Sequence, residues 1–117
     1  MTTENVINLN VNSNVIANSR ITLQEESDRW GLLYDPYIDF SLGINPESVF
    51  LWKQMEKKTT IKDIAAKIKR NFTDVPIEIE KEVTQIIRGL LKLGFITLIP
   101  DEISNIPPEQ RGIRGER

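Results

Sequence analysis

The apolar positions of this chain change their spacing twice. From Arg20 to Ile44 they alternate with polar ones, the spacing of strands that bury one face. From Asn45 to Leu93 they recur every three or four residues, the spacing of amphipathic helices. Phe95, Thr97 and Ile99 return to alternation and predict a short closing strand. In the first region Ile21 and Leu23 open a strand, and the polar run Glu25-Glu26-Ser27-Asp28 breaks it. Trp30 to Tyr34 makes a second strand, and Asp35-Pro36 supplies a turn, because proline presets one backbone angle. A third strand resumes with Tyr37, Ile38, Phe40, Leu42 and Ile44. There Phe40, Leu42 and Ile44 share one face, and Asp39, Ser41 and Gly43 the other.

Asn45-Pro46 opens the helical region. Asparagine can cap the first free amides, and proline is tolerated at the first helical position. Ser48, Leu51, Trp52 and Met55 form one stripe, and Thr59-Thr60 ends that helix while offering a cap to the next. Ile61, Ile64, Ala65, Ile68 and Phe72 repeat the spacing, and Thr73-Asp74-Val75-Pro76 interrupts it. The third helix is expected over about Ile77 to Leu93, stopped by Gly94. Its stripe of Ile79, Val83, Ile86 and Leu90 widens sideways through Ile87 and Leu91. From Leu93 round to Leu91 the apolar arc covers roughly 160°, against about 100° for a helix that buries one side only. Either the helix meets core on two sides, or part of this face lines a groove.

The pattern predicts an α+β fold: a winged helix-turn-helix with an N-terminal three-stranded antiparallel sheet, three helices and a short closing strand. Three segments follow. Residues 1–18 are an Asn-rich arm in which Ile7, Leu9 and Val11 alternate with asparagines, giving an edge strand or a mobile arm. Residues 19–99 are the folded domain. Residues 100–117, with Pro107-Pro108 and spaced Arg111, Arg114 and Arg117, read as a flexible tail.

Composition narrows the chemistry. The 117 residues suit one domain. The sequence has no cysteine and no histidine, which removes disulfides, thiolate chemistry, the commonest zinc ligands and the usual acid–base group near neutral pH. No secretory signal and no membrane-length apolar run is present, so the expected location is the cytoplasm and no membrane partner is expected. No Gly-rich phosphate loop can be written from the six glycines, and no cofactor or metal is implied. Asp35 and Asp39 could face each other beside the hairpin turn, although turn acids ordinarily bond local backbone. The chain therefore reads as a binding module and not an enzyme.

Charge is unevenly placed. Residues 1–52 carry a net −5 and residues 53–70 a net +5, from Lys53, Lys57, Lys58, Lys62, Lys67, Lys69 and Arg70 against Glu56 and Asp63. A winged helix raises a DNA-binding regulator as one reading, with the third helix in the major groove. Glu78, Glu80 and Glu82 at the start of that helix, offset only by Lys81, oppose phosphates, so nucleic acid is disfavoured as a partner. An adaptor docking a folded protein through the Lys-rich second helix is another alternative.

The order Ile44-Asn45-Pro46, Leu51-Trp52, Thr60-Ile61-Lys62-Asp63-Ile64-Ala65 and Leu90…Gly94-Phe95-Ile96 resembles the PqqD-like peptide chaperones, also called RiPP recognition elements. The resemblance implies a domain that captures the leader of a ribosomally made precursor peptide and presents it to a separate maturation enzyme, with the radical SAM type as one candidate. It also implies a site. The leader would add as an antiparallel strand to the edge formed by Asp39, Phe40, Ser41, Leu42, Gly43 and Ile44, against a helix face of Ile79, Val83, Ile86 and Ile87. The same resemblance leaves one obstacle: the arm's Ile7, Leu9 and Val11 could pair on that edge themselves.

Overall fold

The structure, a computed structural model, describes residues 9–100. Its order is β1 (Asn14–Ala17), β2 (Thr22–Glu25), β3 (Gly31–Asp35), β4 (Phe40–Ile44), α1 (Pro46–Gln54), β5 (Thr59–Thr60), α2 (Ile61–Asn71), α3 (Ile79–Leu93) and β6 (Ile96–Ile99). A single 3-10 turn, Ser27–Arg29, sits between β2 and β3, where the polar break is expected. The fold is α+β. The strands make two antiparallel three-stranded sheets, ordered β2-β3-β4 and β5-β1-β6.

The local signals act as their chemistry dictates. The Asn45 side chain accepts a hydrogen bond from the Ser48 amide at 2.9 Å, and Pro46 occupies the first turn of α1. Thr60 accepts from the Asp63 amide at 3.1 Å and caps α2. Gly94 adopts a left-handed φ of 77°. That lets its own amide reach the Leu91 carbonyl and the Phe95 amide reach Leu90, both at 3.0 Å, which is the Schellman pattern. Phe95 thereby turns fully into the core.

Two expectations change and one is met. Among the described residues the arm contributes no edge strand: Asn14–Ala17, which follows the alternating residues, is the middle strand of its sheet, pairing with both β5 and β6. Leu9 and Val11 instead pack against the core, and the Val11 carbonyl accepts from the Lys62 amide at the start of α2. Ile7 and the tail from residue 101 lie outside the described residues. The expected short closing strand is present as β6, which pairs with β1. Finally, Tyr37 and Ile38 are not strand residues. They form the β3–β4 turn and are 79% and 62% exposed.

One core joins the layers. Val15, Leu33, Leu51, Trp52, Met55, Ile61, Ile64, Val83, Ile87 and Phe95 are buried within it. Gly31 lets the β2-β3-β4 sheet settle on α1, since a Cβ there would stand 2.9 Å from both Leu23 Cδ1 and Val49 Cγ2. Arg20 ties the elements together. Its Nε and Nη2 each donate to Asp35 at 3.1 Å, and Nη2 also donates to the Gly94 carbonyl at 3.1 Å. Asn18 Nδ2 donates to that same carbonyl.

Asp35 is 1% exposed and also accepts from the Tyr37 amide at 3.0 Å. The Arg20 hydrogen bonds hold its carboxyl below the ordinary value of 3.8, against the opposing effect of burial. A lowered folded-state pKa means that the stabilisation is complete above the unfolded value and is lost as pH falls through the folded one. Urea midpoints should therefore decline below about pH 4. Asp35→Asn should start less stable at neutral pH and show a flatter acid limb. Parallel acid limbs in the two proteins would contradict this role.

Candidate functional site

β4 is hydrogen-bonded to β3 on one side only, in the register Gly31↔Ile44 to Asp35↔Phe40. Among the described residues its outer edge has no strand partner, and no strand pairing joins residues 9–17 to it. An open edge presents unpaired backbone donors and acceptors to any extended chain.

Beside that edge lies an apolar groove of about 220 Å³. Leu33, Trp52 and Leu90 form its floor, and Leu42 and Ile44 form the wall contributed by β4. The other wall is α3, through Gln85, Ile86, Gly89 and Leu93. Phe40 meets Phe95, just past the end of α3, with ring centroids 6.2 Å apart, whereas Asn45, which follows Ile44, lines a cavity with Ile79, Glu82 and Val83 at the helix start. β4 therefore runs antiparallel to α3, and a chain added antiparallel to β4 would run parallel to the helix.

At the Ile44 end, Ser48 and Ile86 are shared with a second cavity of about 320 Å³. Its floor is apolar, from Leu51, Ile68, Ile79 and Val83, and Glu47, Asp74 and Glu82 stand on its rim. Between them the two cavities border α3 from Leu93, at its end, to Ile79, at its start.

The sequence-predicted site divides. Phe40, Ser41, Leu42, Gly43 and Ile44 form β4. Asp39 lies outside the strand: it closes the turn with a φ of 53°, and its carboxylate accepts from the Tyr34 hydroxyl at 3.0 Å. That bond raises the Tyr34 pKa, because the carboxylate favours the protonated phenol. Asp35 and Asp39 thus take separate partners and do not make a carboxylate pair.

On α3, Ile79, Val83 and Ile87 are core, with Val83 1% and Ile87 0% exposed, while Ile86 is 37% exposed. The wide apolar arc has two causes. Its Leu91 edge packs against the core, and its Ile86–Leu93 edge lines the groove. Gln85 and Gly89, which lie on that edge two turns and one turn before Leu93, are groove residues the periodicity could not assign, since a polar residue and a glycine carry no apolar signal. Helix three also begins at Ile79, two residues later than expected, leaving Ile77 exposed.

Residues 32–96, more than half the chain, match the family model described as coenzyme PQQ synthesis protein D (PqqD). The chain belongs to the PqqD family. The match begins inside β3 and ends at the start of β6, so the PqqD region holds β4, α3 and the groove between them. Among solved structures, TbiB1, determined in complex with the TbiA(beta) leader peptide, superposes with a TM-score of 0.62 at 13% sequence identity. The superposition covers 74% of this chain and 99% of that one, a likeness of fold. No curated protein matches the chain.

The division of α3 has a direct test. Val83→Asp buries an unpaired charge, costing several kcal/mol, and should abolish cooperative unfolding. Ile86→Asp can keep its charge in solvent and should stay within about 1 kcal/mol of the parent in urea melts. Equal destabilisation by both would contradict the division.

Proposed function

We propose that this PqqD-family domain binds the leader of a ribosomally synthesised precursor peptide as an added antiparallel strand on β4, and presents it to a separate maturation enzyme. The observation that carries this reading is the unpaired β4 edge standing beside an apolar groove on α3. Strand addition draws affinity from backbone hydrogen bonds and selectivity from pockets for alternate side chains. Both components lie side by side here. Family membership supports the reading, as does the likeness of fold to TbiB1, whose structure contains a leader peptide.

The domain's own role in this reading is to hold and not to react. The two hairpin carboxylates are partnered for structure: Asp35 with Arg20, Asp39 with Tyr34. Glu78, Glu80 and Glu82 at the start of α3 set a negative field where a DNA reader would need cations. Among the described residues no helix is long and apolar enough to cross a membrane.

The test is fluorescence anisotropy with the labelled leader of any small precursor encoded beside this gene. Wild type should bind with an affinity that changes little between about 50 and about 200 mM salt, in contrast to the steep loss expected of phosphate contacts. Ile86→Asp should weaken binding at least about tenfold, because its carboxylate would be desolvated by the bound chain. Absence of leader binding, together with tight and salt-sensitive binding of duplex DNA, would replace this reading with the regulator.

A further inference from the structure

Gly89 is a glycine without a structural reason. It lies inside α3, where glycine is less favourable than every residue but proline. Its φ is not left-handed, since Gly94 is the glycine of the described residues with that conformation. Close packing does not demand it either, because a Cβ built at Gly89 meets no atom within 4 Å. At Gly31, by contrast, the same addition would collide with two side chains.

What the bare position does is open the groove. Gln85, Gly89 and Leu93 follow one another along the ridge of α3 that faces β4, and Gly89 is the gap in that ridge. Across from it stand Leu42 and Ile44. The resulting space of about 220 Å³ is larger than the ~150 Å³ apolar cavity that accommodates benzene in another protein. Its lining is apolar except for Ser48 and Gln85. A charged side chain seated there would lose its water without gaining a counter-ion.

A strand added to β4 sends every second side chain toward α3. Resting on the strand-addition reading, we propose that Gly89 is the specificity-determining residue of the groove, forming the seat for one aromatic or large aliphatic side chain of the leader. Helix stability is given up at this position for room. Substituting the glycine therefore separates binding from folding, because the free protein gains from the very change that closes the seat.

The experiment uses the full chain and an mRNA-displayed library of random dodecapeptides, so that no leader sequence need be assumed. Wild type should enrich peptides in which one position is restricted to Phe, Tyr, Trp, Leu or Met. Replacing that anchor by alanine should weaken binding at least about tenfold. Gly89→Ala should raise the melting temperature by about 4 °C. Gly89→Leu should melt no lower than wild type, bind the selected peptides at least about tenfold more weakly, and on reselection favour small residues at the anchor. Selected peptides with no restricted apolar position, or with equal affinity for wild type and Gly89→Leu, would overturn the assignment of Gly89 and leave strand addition standing. Failure of the wild type to enrich any peptide would overturn strand addition, and this assignment with it.

Discussion

The carbonyl of Gly94 is the point on which the site's geometry depends. It closes α3, and it receives both the Asn18 amide and the Arg20 guanidinium from the loop that leaves β1 and enters β2. Arg20 also grips Asp35, the last residue of β3 before the hairpin turn. One side chain thus fixes the end of the helix against the end of the hairpin. The Phe40–Phe95 ring contact seals the same junction. With that corner fixed and α1 packed beneath, β4 and α3 are held apart by a set distance instead of collapsing together. Because the corner is made of part-buried hydrogen bonds, those from Arg20 charge-assisted, it is directional, which apolar packing alone is not.

Two different physical resources meet at the resulting gap. The edge of β4 offers backbone groups that any extended chain can satisfy, so it supplies affinity without sequence preference. The groove offers apolar area and a shape, which under the proposed strand addition would discriminate among side chains. Neither is sufficient alone. An open edge without a groove would pair indiscriminately, and a groove of this size without an edge would hold one side chain weakly. The antiparallel course of β4 and α3 lets a single extended ligand use both along its length.

Much of this was legible in the sequence because it is local. Asn45, Thr60 and Gly94 act on amides or carbonyls within a few residues of themselves, so their chemistry marks helix ends without tertiary knowledge. The alternation of Phe40, Leu42 and Ile44 likewise identifies the inward face of β4. Non-local features were hidden. Asn14–Ala17 becomes a central strand only because β5 and β6 arrive from far along the chain, and its own four residues show no alternation. The Arg20–Asp35–Gly94 link spans seventy-four positions between its outer members. Apolar spacing on α3 gave the correct arc, but it could not say that Val83 and Ile87 face the core while Ile86 faces the groove. Gly89 carries the weakest signal, since its contribution is the absence of a contact.

Strand addition at β4 is most directly tested by amide hydrogen–deuterium exchange of the full chain with and without the precursor leader. The account predicts that alternate amides of Phe40–Ile44 exchange markedly more slowly in the complex, because their outward N–H groups gain carbonyl partners, while Lys62–Arg70 on α2 is unchanged. A leader that binds yet leaves β4 exchange untouched, with protection appearing on α2 instead, would contradict it.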